Sequence, residues 1–231
     1  MNPLRKIVQK FGLDIHRYRH VPQKLNWLTK FDIKTIIDVG ANTGQFAHEI
    51  RSFFKEAHIY SFEPLAECFN ELKKREEQDS KFTAYHMALG DSNKKDVIHK
   101  SSYTLSSSML SMSEKHKTSF PHTKDSTPEE ITVTRMDDIC KDIELVKRVL
   151  IKIDTQGFED KVIAGGINTI SQAKALIVEN SFVPLYEGQK LFPDIYESLY
   201  KIGFTYRGAL HQKVAKDGEI LFEDSIFVKD N

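Results

Sequence analysis

The sequence predicts an α/β fold: one mostly parallel sheet of seven strands, helices on both of its faces, and an antiparallel edge strand. Three observations predict it. From Thr35 onward, short runs rich in Ile and Val alternate with segments of helical periodicity. The runs are apolar almost throughout, as in a parallel sheet covered on both faces. The last two flank the turn-like Lys216-Asp-Gly218, which makes them a hairpin and so antiparallel.

In chain order, Thr35-Ile-Ile-Asp-Val39 predicts a strand over 35–39 that runs into a glycine turn and a helix over about 44–54. A strand over 58–62 ends at Glu63-Pro64, and Pro64 favours the first turn of the charged helix over about 65–77. A strand over 81–86 follows. The stretch 91–135 then breaks the rhythm. Its serines at 101–108 give way to a His/Lys/Ser/Thr/Pro-rich run to Pro128 with no helical pattern, although strands at about 95–100 and 131–135 bracket it. A loop of that length inside a compact domain reads as a lid over cofactor or substrate. The alternation resumes with a strand at 148–153, a helix at about 158–170 and a strand at 174–179. A helix at about 192–202 and strands near 204–208 and 224–229 complete it.

The 231 residues suit one domain at 31–231, with 91–135 as an insertion and 1–30 as a helical extension. In that extension Leu4, Ile7, Val8 and Phe11 recur at helical spacing among Arg5, Lys6 and Lys10. The helix is expected to pack on the domain; a peripheral contact with an anionic membrane is the other reading. Basic and acidic residues balance at 33 each, which argues against a nucleic-acid partner. Cys68 and Cys140 form no disulfide framework or zinc motif, no apolar run is long enough to span a membrane, and no signal-peptide core is present. A cytoplasmic protein is expected.

Open parallel sheets bind ligands outside the carboxyl ends of their strands. Here the first strand opens into Gly40-Ala-Asn-Thr-Gly44 and the second ends at Glu63. A glycine turn admits a ligand to the backbone, and an acid on the next strand grips a ribose diol, so a nucleoside cofactor is indicated. A dinucleotide needs G-x-G-x-x-G, and Asn42 stands where the second glycine would be. S-adenosylmethionine (SAM) carries no phosphate, and Asp38 is placed to accept its ammonium and favour its sulfonium. Ala88-Leu-Gly90 would suit an adenine face. Asp154 ends the apolar strand Val149-Leu-Ile-Lys-Ile153, either at the mouth of the site or as a helix cap, and Lys152 faces the same side by period-two alternation. Asp154, Glu179 and Asn180 offer oxygen atoms from adjacent strand tips, for Mg²⁺ or for a hydrogen-bond network.

Five pieces together resemble the FkbM-type SAM-dependent methyltransferases: Ile37-Asp-Val-Gly-Ala-Asn-Thr-Gly44, Phe62-Glu-Pro64, Ala88-Leu-Gly-Asp91, Ser107-Ser-Met-Leu110 and Ile151-Lys-Ile-Asp-Thr-Gln-Gly-Phe-Glu159. They come in the family's order and spread over about 36–180. The resemblance implies a Rossmann-like class I methyltransferase fold and O-methylation of a sugar, glycan or secondary-metabolite hydroxyl. Carried over by position, Asp38, Gly40, Ala41, Asn42 and Gly44 border the methionine end of SAM. Glu63 and Pro64 meet the ribose, and Ala88 and Leu89 the adenine. Ser107 and Ser108 join the cofactor set through a family serine motif to which spacing assigns no role. Phe158 departs from the family, which often has a small residue there.

In-line transfer to an aliphatic hydroxyl needs alignment, desolvation and a proton acceptor or a metal. Asp154 is the first choice for the acceptor, Glu179 the second, with Lys152 beside them; His116, His122 and His211 are further candidates. Two other readings are a domain that holds SAM or a glycan without turnover, and a nicotinamide oxidoreductase, against which Asn42 argues.

Overall fold

The structure, a computed structural model, describes residues 24–143, 145, 146 and 148–229. The helix expected around 4–11 lies outside them. A 3₁₀ helix, Lys24–Phe31, leads into β1 (Thr35–Val39), α1 (Gln45–Arg51), β2 (His58–Phe62), α2 (Ala66–Glu76) and β3 (Phe82–Tyr85). Next come β4 (Ala88–Gly90), β5 (Lys94–Ser101), α3 (Glu114–Ser119), β6 (Ser126–Arg135) and α4 (Met136–Ile139). The chain continues through β7 (Val149–Ile153), α5 (Glu159–Gly165), α6 (Ile167–Ser171), β8 (Ala173–Ser181), α7 (Phe192–Lys201), β9 (Phe204–Val214) and β10 (Ile220–Lys229).

Seven strands form the main sheet in the order β3-β2-β1-β7-β8-β10-β9. The first five are parallel, and β10 runs antiparallel to both of its neighbours. The hairpin therefore closes one edge as expected, with β10 inserted between β8 and β9. Each face carries a core. Ile37, Val39, Ile151, Ile153, Leu176 and Val178 pack with Val162, Ile170 and Leu199 from α5, α6 and α7. On the other face Ile36, Leu150, Ala175 and Ile177 meet Leu25 and Leu28 of the 3₁₀ helix and Ala47 and Ile50 of α1. Each fully buried Ile or Leu contributes about 1.5–3 kcal/mol, so the strands hold their register and fix where their tips lie.

Two elements differ from the sequence reading. The expected helix at about 158–170 is broken into α5 and α6, because the chain crowds other elements at Gly165-Gly166. A Cβ on Gly165 would come within 1.8 Å of the Gly90 carbonyl oxygen, and one on Gly166 within 2.9 Å of the Met136 sulfur. The stretch 91–135 is structured. β5 and β6 pair antiparallel and β4 joins β6 in parallel, so a second, three-stranded sheet stands beside the main one. Between its two long strands lie a 3₁₀ turn, Thr104–Ser106, and α3. Among the described residues, no helix is long and apolar enough to cross a membrane, and Cys68 and Cys140 are buried free thiols.

Candidate active site

The β1–α1 turn is pressed onto the end of β7. Gly40 has φ +79°, and a Cβ there would lie 1.9 Å from the Asp154 carbonyl oxygen, so only glycine fits. The backbone N–H of Asp154 donates to the Val39 carbonyl at 3.0 Å, and those of Gly40 and Ala41 donate to the Phe62 carbonyl. Asn42 is left-handed at φ +47°, and its side-chain oxygen accepts from the Thr43 N–H at 2.9 Å. Gly44, also left-handed, packs against Leu72 and Arg75, so its role is to shape the turn.

Glu63 is buried at the tip of β2. Its two carboxylate oxygens accept from the Asn42 and Leu65 N–H groups, each at 2.8 Å. Burial raises its pKa to about 7, against the pull of those two amides. Each oxygen keeps a lone pair for a further donor. A cavity opens above it, walled by Pro64, Leu65, Ala88, Leu89, Met109 and Phe158. Phe158 fits because β4 offers Gly90 opposite: a Cβ there would lie 3.1 Å from the ring.

Asp38 is fully buried, opposite Ser61 on β2 and Lys152 on β7. Its Oδ2 has only the Ser61 hydroxyl at 3.5 Å, and its Oδ1 has no partner. Burial raises its pKa to about 6, with Lys152 pulling the other way. A buried carboxylate oxygen without a donor is costly, and it suits a ligand that brings one.

The tips of β7, β8 and β10 bring Asp154, Glu179 and Asp224 together, one oxygen from each lying within 4.8 Å of the others. Both oxygens of Asp154 are engaged: Lys152 Nζ lies 2.7 Å from Oδ2, and the Gln156 amide donates to Oδ1 at 2.9 Å. The same amide donates to Glu179 at 2.9 Å, while the buried Tyr186 hydroxyl donates to the Gln156 side-chain oxygen, Oε1, at 2.8 Å. Burial works against the charge on Lys152, but Asp154 and Asp38 outweigh it and raise its pKa above the ordinary lysine value. Burial, with Asp154 and Glu159 nearby, pushes Glu179 well above the usual carboxylate range.

Asn180 stands apart from this cluster. Asn180 follows Glu179 on β8 and so faces the opposite side of the sheet, where its amide donates to the Val178 carbonyl at 3.2 Å. Asp224, directly opposite Glu179 across β8 and β10, holds the third position instead. The two serines also part company. Ser107 lines the cavity while its hydroxyl oxygen accepts from the Ser101 N–H. Ser108 donates to the Gln156 carbonyl at 2.6 Å and accepts from Leu110, which ties the inserted segment to the turn after β7. Glu159 turns back on that turn, accepting from the N–H groups of Thr155 and Gly157.

A second cavity adjoins the first across Gly40, Asn42, Leu105 and Asp154, which line both. Its walls include Phe46 and Glu49 of α1 on one side, and His211 and Asp224 of the hairpin on the other.

The strand order, the glycine turn beneath an acid-tipped β2 and the paired cavities define a Rossmann-like class I methyltransferase. Residues 38–206 match the methyltransferase FkbM domain, and the chain belongs to that family. It is a SAM-dependent methyltransferase. It is 28% identical over 185 residues to the 2-O-methyltransferase NoeI of Sinorhizobium fredii, covering 77% of this chain and 73% of that one. The crystal structure of the methyltransferase FkbM from Methylobacillus flagellatus superposes with a TM-score of 0.52 at 14% identity. That match covers 85% of this chain, which spans 44% of the length of its counterpart.

Proposed function

We propose that this enzyme methylates a hydroxyl group of a sugar or glycan. The observation that carries the reading is the pair of cavities meeting at Gly40, Asn42, Leu105 and Asp154, one walled for an adenosine and the other lined with carboxylates and a histidine. Carboxylates and imidazole accept hydrogen bonds from hydroxyls, the groups a sugar presents in number. The activity of NoeI, a 2-O-methyltransferase, points to the same class of acceptor atom.

The residues fit SAM. Glu63 keeps lone pairs for the ribose hydroxyls, and Ala88, Leu89 and Phe158 flank a planar base in the first cavity; the methionine end would cross into the second, where the unpartnered Oδ1 of Asp38 awaits its ammonium. When bound, SAM supplies a methyl group already activated by a positive sulfur. The protein is left to align, desolvate and deprotonate the acceptor. In this reading Asp154 is a positioning group. Held by Lys152 and Gln156, it fixes the boundary between the cavities and keeps negative charge near the sulfonium.

The acid cluster does not suit Mg²⁺. An ammonium lies 2.7 Å from Asp154, and an amide donates to both Asp154 and Glu179, whereas a hard dication needs those oxygens for itself. No step of the proposed reaction uses the metal, and turnover should be unchanged by EDTA.

The test is transfer of labelled methyl from SAM to a panel of methyl glycosides, with RNA and a phenolic alcohol alongside. A methylated glycoside with a new O-methyl group, located by mass spectrometry and NMR, supports the proposal. Labelling confined to RNA or to the phenol would reject it.

A further inference from the structure

The reaction needs a group to take the acceptor's proton, and three histidines are open candidates. The structure separates them. His116 is 2% exposed, with its ring packed against Phe120 and Tyr186 and Nε2 on the Thr123 hydroxyl. His122 lies on the inserted segment, edge-on to Tyr103 and outside both cavities. His211 alone of the three lines the second cavity, on the wall facing α1. Its Nδ1 lies 3.4 Å from Oδ2 of Asp224, and its ring is 71% exposed, so Nε2 is free to meet an acceptor.

The carboxylates of the cluster are less suited. Both oxygens of Asp154 are taken, one by a cation. Glu179 shares the Gln156 amide and is crowded by three other acids, Asp154, Glu159 and Asp224. Asp224 is the member that reaches out of the cluster, and it reaches to His211.

Resting on the sugar-acceptor reading, we infer that His211 is the general base and that Asp224 orients it, fixing the proton on Nδ1 and leaving Nε2 to accept. As the acceptor oxygen bonds the methyl carbon, the S–C bond breaks and its electron pair stays on sulfur. The acceptor's O–H proton passes to Nε2 of His211, and the exposed ring returns it to water. In this step Asp224 acts through His211 and takes no proton from the acceptor; it is a positioning residue, as the third group of a nucleophile–base–orienter set is.

The experiment uses the full chain and whichever methyl glycoside the wild-type enzyme methylates. His211→Ala should lower kcat about a hundredfold or more, leave the dissociation constant of S-adenosylhomocysteine within twofold, and regain activity when imidazole is added. Asp224→Asn should also lower kcat, without rescue by imidazole. His122→Ala should match the wild type. Imidazole ¹⁵N spectra supply a readout apart from turnover: His211 should be the Nδ1–H tautomer in the wild type and lose that preference in Asp224→Asn. Full activity of His211→Ala, loss that imidazole cannot restore, or an Nε2–H tautomer in the wild type would overturn the assignment while sparing the sugar reading. Failure of the wild type to methylate any glycoside would overturn that reading and this assignment with it.

Discussion

In the proposed site, Glu63 ties cofactor binding to pH. Its carboxylate is buried against two backbone amides, and burial raises its pKa to about 7. Ribose hydroxyls are donors, so they favour the ionised form, and the neutral form that gains weight below pH 7 offers one acceptor fewer. Affinity for S-adenosylhomocysteine is therefore expected to fall as pH drops from 8 to 6, and Glu63→Gln should bind weakly at both ends. A pH series of calorimetric titrations checks this; parallel profiles for wild type and variant would remove Glu63 from the ribose. Gly40→Ala is the harsher change, because its Cβ must displace the Asp154 carbonyl from 1.9 Å. The same titration should show binding lost, with a lowered melting temperature. Both residues were legible in the sequence, since a turn and the strand tip after it are local features. Gln156 and Asp224 carry no such local signal. Gln156 lies within the Ile151–Glu159 motif, but its work depends on Glu179 and Tyr186. Asp224 meets Glu179 only through the antiparallel register of β8 and β10, which no spacing reveals.

At the scale of elements, the inserted segment supplies one wall of the proposed cofactor cavity, through Ile98, Thr104, Leu105, Ser107 and Met109. Its polar strands pair with each other and with β4, so a stretch without helical periodicity is held by backbone hydrogen bonds. The alternation of the main sheet was readable because buried parallel strands are apolar on both faces. The small sheet was only bracketed, because β5 and the first half of β6 are largely solvated and carry Pro128. Two of the segment's anchors bear directly on the site: the Thr104 hydroxyl lies 3.4 Å from the Asn42 side-chain oxygen, and the Ser108 hydroxyl donates to the Gln156 backbone carbonyl. Gln156 is left-handed at φ +55°, a conformation a non-glycine residue keeps only when its surroundings hold it. Ser108→Ala removes a donor from that turn and an acceptor from Leu110, a loss of about 1–3 kcal/mol. Weaker S-adenosylhomocysteine binding and faster amide exchange over residues 98–110 are expected, the latter read by mass spectrometry. Exchange unchanged from wild type would mean that Ser108 anchors nothing.

Across the whole molecule, the site gathers buried acids at the expense of stability. Burial raises Asp38 to about 6 and Glu63 and Glu159 to about 7, and also raises Asp224 and Glu179. Raised acids bind more protons folded than unfolded. The stability they lend is complete below their unfolded pKa values and is lost as pH climbs through about 7. His116, lowered to about 4 by burial, acts in the opposite direction, since only the unfolded chain protonates it between about 6.5 and 4. The acids outnumber it, so the ligand-free protein should melt higher at pH 5.5 than at pH 7.5. Ligand works against that trend. The cofactor cavity draws on β1, β2, β4, β7 and the inserted segment, so it exists only in the folded chain, and binding stabilises by RT ln(1 + [L]/Kd). At a hundredfold excess over Kd that is about 2.7 kcal/mol, or roughly 5–10 °C for a domain of this size. SAM and S-adenosylhomocysteine should give this shift at pH 7.5 and a smaller one at pH 5.5, where Glu63 and Asp38 hold more protons. NAD should give none, because Asn42 occupies the place where a pyrophosphate needs glycine. Melting curves at the two pH values, with and without each ligand, test both signs together. A ligand-free protein that is more stable at pH 7.5 would mean that the site's acids are not held protonated, and a shift with NAD would mean that the turn admits a pyrophosphate.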